Sequence, residues 1–251
     1  MAQIISVSSQ YQGVGKSTTA VNLAASLAIA EKKVLLVDLD SKSDATRYLG
    51  YLRGDYRANL SNVVLGENEI KDVLLPTDLA NLTLLPSSID LLEVELKCTE
   101  NIELLNCLLK KFYEAKIFFD FIIFDCTAPQ NIMTLNILKI TDTILIPFKC
   151  EISSCLNQIN VIKTIDIIAE NYKLCYLKKV LFLNEFRVKE KNSIFLIDEM
   201  SMLYGKDFFK KPIPKSRKIS AAAAQGSPIV LYDIACSGAV AYMNLAACLL
   251  G

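Results

Sequence analysis

The chain of 251 residues contains no histidine, and its eight cysteines form no CxxC pair. The usual zinc-ligand spacings are therefore absent from the sequence. Cys98, Cys107, Cys126, Cys150, Cys155, Cys175, Cys236 and Cys248 are scattered, which reads as separate thiols in a reducing cytosol. Net charge is lacking too, with 27 basic residues against 27 acidic ones. The chain as a whole is thus no sponge for nucleic acid, and any such contact needs a local patch. No apolar run approaches the roughly 18 residues of a membrane span. The opening Met1-Ala-Gln-Ile-Ile runs straight into an apolar segment without the tripartite pattern of a signal peptide. There is no helix-turn-helix ahead of that segment, no internal repeat, no Pro/Gly-rich hinge, and no basic amphipathic extension after the last apolar helix. The expectation is one cytoplasmic domain over residues 1–251 with no membrane attachment.

What the sequence does have is apolar material, 52% of its residues. Short β-rich runs recur at 4–8, 34–39, 82–85, 121–124, 143–147 and 180–183. They are apolar on both faces, as strands covered by helices on each side must be. Helical segments are expected between and after them, at 16–30, 89–98, 102–115, 131–140, 153–170, 192–204 and 238–250, with 221–224 continuing a short helix. Strands alternating with helices predict an α/β fold: a doubly wound, mostly parallel sheet with helices on both faces.

Directly after the first strand comes Gln10-Tyr11-Gln12-Gly13-Val14-Gly15-Lys16-Ser17-Thr18, and directly after that an expected helix. Gly13 and Gly15 permit backbone angles and close approach that a Cβ would block, so successive amides of residues 12–18 can point at phosphate oxygens. Lys16 supplies a point charge for the β and γ phosphates, Ser17 a hydroxyl for Mg²⁺, and the helix N-terminus its positive end. A plain turn capping a helix has no need of Lys-Ser-Thr at that spot. Asp38 and Asp40 stand one strand period apart at the end of the second strand, and Asp125 follows four apolar residues of another. Carboxylates at strand ends beside a phosphate loop suit Mg²⁺ and water positioning. The pattern is that of a site for ATP with Mg²⁺.

The same residues carry a resemblance. Gly13-Val-Gly-Lys-Ser-Thr, Leu35-Leu-Val-Asp-Leu-Asp40, Phe121-Ile-Ile-Phe-Asp125, Ile146-Pro-Phe-Lys-Cys-Glu151, Ile213-Pro-Lys-Ser216 and Gly226-Ser-Pro-Ile-Val-Leu-Tyr-Asp233 resemble the ParA/MinD superfamily of deviant-Walker ATPases. Within it the chain most resembles the short Soj-type chromosome-partitioning ParA proteins, essentially end to end. The resemblance implies an ATP-dependent homodimer that binds DNA nonspecifically on the nucleoid. A ParB-like or cargo-adaptor protein would stimulate hydrolysis and release. It assigns Asp40 to the attacking water, and Asp38 and Asp125 to the Mg²⁺ shell, directly or through water. Asn184 and Pro214 fall in the adenine pocket, and an amide suits that base.

The pattern is departed from at several positions. Tyr11 and Gln12 replace a lysine and a glycine usual in the family, and tyrosine carries no charge to a partner's phosphates. Ser41-Lys42-Ser43-Asp44 replaces Pro-Gln-x-Asn, Thr127-Ala128 replaces a double proline, and Ala221 and Ala223 stand where glutamate and proline are usual. These changes bear on hydrolysis and on the dimer, so a nonhydrolysing ATP-binding paralogue acting as regulator or scaffold stays open. Lys42 is a candidate for the missing charge, with plain solvation of a loop lysine as the alternative. A metabolic ligase or an iron-sulfur reductase on the same scaffold is a third class, for which the cysteine spacings give no support. Finally, Lys206, Lys210, Lys211, Lys215, Arg217 and Lys218 crowd against the single acid Asp207. Such a patch suits sequence-independent contact with a phosphate backbone. Lys211, Lys215, Arg217 and Lys218 are the expected DNA contacts, against the alternative of a solvated basic face.

Overall fold

The structure, a computed structural model, describes residues 1–187 and 190–250; for residues 152–159, 191 and 192 it describes the backbone alone. The Cys155 thiol lies outside the described side chains, and the other seven cysteines are unbridged.

Eight strands form one sheet: β1 (Gln3–Val7), β2 (Val34–Asp38), β3 (Leu75–Pro76), β4 (Leu82–Leu85), β5 (Phe121–Asp125), β6 (Thr143–Lys149), β7 (Lys178–Asn184) and β8 (Phe208–Phe209). Their order across the sheet is β3-β4-β2-β5-β1-β6-β7-β8, and every pairing is parallel except β3 with β4. Alternate side chains leave on opposite faces, as the pleat requires. Ile5 and Val7 of β1, Leu36 of β2 and Ile123 of β5 join one core; Ile4, Leu35, Val37, Ile122 and Phe124 join another.

The first core is closed by α1 (Lys16–Ile29), α2 (Asp44–Tyr48), α9 (Arg217–Ala224), α10 (Ile229–Tyr232) and α11 (Ser237–Leu250). Alanines at 20, 24, 25 and 28 of α1 and at 239, 241 and 246 of α11 are buried there, and small side chains let helix axes approach closely. The second core is closed by α3 (Leu60–Val64), α4 (Leu91–Glu100), α5 (Glu103–Ala115) and α6 (Ile132–Leu138). A third cluster lies between β6–β7 and the pair α7 (Ile152–Asn171) and α8 (Lys191–Tyr204). Helices on both faces of a nearly all-parallel sheet are the architecture expected from the sequence.

Differences from the sequence reading fall on the shortest pieces. The two-residue edge strands β3 and β8 and the one-turn helices α2, α3 and α10 are too short to impose a hydrophobic period. Pro147 lies inside β6, in a register position opposite Phe182 of β7, but past Leu145, where the pairing with β1 ends. A residue without an N–H is tolerated where the ladder has one neighbour only.

Register decides where chemistry can gather. Val7 is in register with Asp125, and Asp125 with Asp38. The two acids thus stand side by side at the C-terminal sheet edge, next to the loop leaving β1. Ligands of open α/β sheets sit outside such an edge.

Candidate functional site

The loop between β1 and α1 has Gly13 at φ +72° and Gly15 at φ +89°, the left-handed region where a Cβ is costly. Gly15 precedes the first residue of α1, whose first turn has no acidic residue and whose N-cap makes no side-chain hydrogen bond. The N–H groups that open this helix are thereby left for an anion. Val14 is buried, and its carbonyl accepts from Asn184 Nδ2 at 2.8 Å. Asn184 Oδ1 accepts in turn from the Glu185 N–H at 2.9 Å. The amide expected to read a base is also a strut that fixes the phosphate loop against the end of β7.

Asp38 is fully buried. Its Oδ1 accepts from the Asp40 N–H (3.1 Å), and its Oδ2 accepts from both the N–H (2.9 Å) and the hydroxyl (2.7 Å) of Thr46. Burial pushes its carboxyl up from the ordinary range, and the Thr46 donors offset part of that. Asp125 is buried as well, and neither of its carboxylate oxygens has a hydrogen-bond partner. Burial raises its carboxyl well above the usual value, the charge of Asp38 adds to this, and the Ser17 hydroxyl and Lys16 ammonium act against it. Two orphaned oxygens at a strand end, beside a loop hydroxyl and a lysine, fit a hydrated Mg²⁺ carried on phosphate oxygens. Among the described residues no group of three or more His, Cys, Asp or Glu is arranged to hold a metal ion.

Asp40 is only partly buried and lines a cleft of about 740 Å³, the size of a cofactor site. Gln12, Gly13, Gly15, Lys16, Ser17, Thr18, Asn184 and Pro214 line the same cleft, so the expected phosphate and base residues converge. Lys16 Nζ donates to the Tyr11 carbonyl at 3.3 Å. Tyr11 itself packs against the third core cluster, while Gln12 is exposed.

The four expected DNA cations divide. Lys215 and Arg217 line the cleft; Lys211 and Lys218 do not. Lys215 Nζ stands 3.4 Å from Glu185 Oε2, and Lys218 pairs with Asp233.

Sequence reasoning missed Thr46, whose one-turn helix left no periodic trace, and Glu185. It gave no site role to Asn131 or Thr127, which line the cleft with Glu185. Asn131 caps α6 by accepting from the Met133 and Thr134 N–H groups, and an Asn just before a helical run is a signal that could have singled it out. Thr127 is held through its carbonyl, which accepts from the Ser8 hydroxyl at 2.7 Å.

A phosphate loop between the central strand and its helix, flanked by carboxylates at neighbouring strand ends, defines a P-loop nucleoside triphosphatase fold. Comparison with known proteins narrows the class. An AAA domain family model matches residues 2–178. The chain is 31% identical over 247 residues to the sporulation initiation inhibitor protein Soj of Bacillus subtilis (strain 168), covering 98% of this chain and 97% of that protein. It is 33% identical over 248 residues to the chromosome partitioning protein ParA of Myxococcus xanthus (strain DK1622), covering 98% and 87%. Among solved structures it is similar to cobyrinic acid a,c-diamide synthase from Mycobacterium smegmatis with bound ATP analog and magnesium. There the TM-score is 0.84 and the identity 25%, over 100% of this chain and 95% of that one. The septum site-determining protein MinD from Pyrococcus horikoshii OT3, complexed with Mg-ADP, shares the fold with a TM-score of 0.82 at 24% identity, over 99% and 96%. The chain belongs to the ParA/MinD superfamily of P-loop ATPases.

Among the described residues no helix is long and apolar enough to cross a membrane.

Proposed function

We propose that this chain is a nucleotide-switched positioning ATPase of the Soj/ParA kind, acting as one domain in the cytoplasm and on the nucleoid. It binds Mg·ATP in the cleft, pairs with a second copy when ATP is bound, and holds DNA without reading sequence. A ParB-like or cargo-adaptor protein speeds its slow hydrolysis and resets it. The observation that carries the reading is that Gly13, Gly15, Lys16, Ser17 and Asp40 line one cleft at the sheet edge where the unpartnered, buried Asp125 ends β5 in register with Val7.

The roles follow from the chemistry of each group. Amides of residues 12–18 and the Lys16 ammonium hold the phosphates. Ser17 would ligate Mg²⁺, and Asp38 and Asp125 would hold its shell directly or through water, Asp38 oriented by Thr46. Bound Mg²⁺ supplies charge neutralisation at the β and γ oxygens. Asp40 orients the attacking water, Asn184 and Pro214 frame adenine, and Lys211, Lys215, Arg217 and Lys218 contact DNA phosphates.

One observation favours a second reading. Tyr11 folds back against its own subunit's core and carries no cation, which suits a nonhydrolysing ATP-binding regulator or scaffold. Asp40→Ala separates the two. Under the ATPase reading, phosphate release falls about 10²-fold or more while ATP still binds; if release is unchanged with binding intact, the ATPase reading fails. Sizing and DNA binding without nucleotide, with ADP and with ATP then test the switch, which requires ATP alone to promote both.

A further inference from the structure

Four cationic side chains line the cleft: Lys16, Lys42, Lys215 and Arg217. Two are engaged, Lys16 with the Tyr11 carbonyl and Lys215 with Glu185. Lys42 and Arg217 make no ion pair among the described residues.

These two cations are carried by different segments of the cleft wall. In the sheet order β2 and β7 lie two strands to either side of β1, which feeds the phosphate loop. Arg217 starts α9 close to Pro214, whose backbone bridges to Phe186 just past β7, the side of Asn184. Lys42 follows β2, the side of Asp38 and Asp125. Those acids would hold Mg²⁺, and Lys42 lines the cleft beside Asp40 on their side of the phosphate loop, so the phosphate end of a bound nucleotide is the part within its reach.

The turn that carries Lys42 is closed on Asp40. The Asp40 Oδ1 accepts from the Lys42 N–H at 3.0 Å, the Asp40 carbonyl accepts from the Ser43 N–H at 2.9 Å, and Ser43 sits at φ +56°. A non-glycine residue in that region persists only where its surroundings hold it. The next acid along the chain, Asp44, is bonded to Arg47. The Lys42 backbone is therefore tied to the turn of the water-orienting carboxylate, while its exposed side chain forms no ion pair with the acids of its own loop.

We propose that Lys42 is a second phosphate-contacting cation, which grips the γ-phosphoryl group from within its own subunit and so sets the preference for tri- over diphosphate and the rate of γ-phosphoryl loss. The assignment rests on the nucleotide-binding reading above. In hydrolysis the water oxygen bonds to the γ phosphorus as the bond from that phosphorus to the β,γ-bridging oxygen breaks. ADP keeps the electron pair, and the products are ADP, inorganic phosphate and a proton released to solvent. A compact ammonium at the γ oxygens stabilises the charge carried there during that exchange.

The test uses the full chain with Mg²⁺, comparing the parent with Lys42→Ala and Lys42→Arg. Calorimetry measures affinity for a nonhydrolysable ATP analogue and for ADP, and single-turnover assays measure hydrolysis. Lys42→Ala should weaken the triphosphate about tenfold while ADP stays within about twofold, and slow hydrolysis about 10²-fold. Lys42→Arg should retain most of the triphosphate preference. A Lys42→Ala variant with the parent's triphosphate-to-diphosphate ratio overturns the proposal, and so does one that loses both nucleotides equally. If the parent binds neither nucleotide, the nucleotide reading itself falls, an outcome distinct from failure of Lys42 alone.

Discussion

Asn184 is packed directly against Gly15: a Cβ built on Gly15 would stand 2.1 Å from the Asn184 amide nitrogen. That nitrogen already donates to the Val14 carbonyl, so the strut from β7 leaves the phosphate loop no room for a side chain. Gly15→Ala combines this clash with a left-handed backbone that costs an alanine about 1–2 kcal/mol. The variant should melt several degrees lower, at roughly 2–4 °C per kcal/mol for a chain of this size. Its Mg·ATP affinity in calorimetry should fall about tenfold or more. Adding Asn184→Gly should restore part of the stability, because the clashing group is then gone.

Thr46→Val should unsettle Asp38 more than its isosteric size suggests. The valine removes the 2.7 Å donor to Asp38 and the acceptor of the Ser87 N–H, leaving buried polar groups unpaired. The expected loss is about 1–3 kcal/mol in denaturant titration. Thr46→Ser, which keeps the hydroxyl, should lose clearly less.

Stability without Mg²⁺ should fall as pH rises. Asp38 and Asp125 both titrate higher in the folded chain than unfolded, chiefly through burial. Between the ordinary value of 3.8 and the folded value, about 7 for Asp38, the native state holds more protons than the unfolded state. The unfolding free energy therefore decreases with pH across that window. Urea midpoints at pH 5 and pH 8 should show the decline, and Asp125→Asn should make it shallower. A midpoint that rises over the same interval contradicts the account.

How much of this was legible beforehand follows from length and period. Residues 34–39 and 121–124 announced β2 and β5 because an uninterrupted apolar run needs two covered faces. The phosphate loop announced itself because two glycines, a lysine and a hydroxyl at fixed spacing have few other uses. Thr46 was hidden because five residues of α2 are too few for a helical period, and its partner Asp38 is eight residues away through a turn. Glu185 was hidden because its ion pair with Lys215 depends on the bridge between Phe186 and Pro214, a contact between distant segments. The fate of Tyr11 was hidden for the same reason: residue type showed the missing charge, but only the fold showed the ring turned onto the third core cluster.

The basic patch should not act as six equal charges. Lys215 and Lys218 have acidic partners, whereas Lys211 and Arg217 have no ion pair among the described residues. Each free cation that meets a DNA phosphate should lower the slope of log affinity against log salt by about 1 when replaced by alanine. Anisotropy titrations over a salt series should show this for Arg217→Ala and Lys211→Ala, with a smaller change for Lys218→Ala. Arg217→Glu should abolish binding; parental DNA binding in that variant would leave the patch as a solvated face.

The whole account turns on a nucleoside triphosphate seated where β1 passes into α1. Calorimetry of the purified chain with ATP and Mg²⁺, beside a Lys16→Ala variant, tests this most directly. The parent should bind with a stoichiometry near one per chain, and Lys16→Ala should weaken binding about tenfold or more. No heat of binding in the parent, or undiminished affinity in Lys16→Ala, would contradict it.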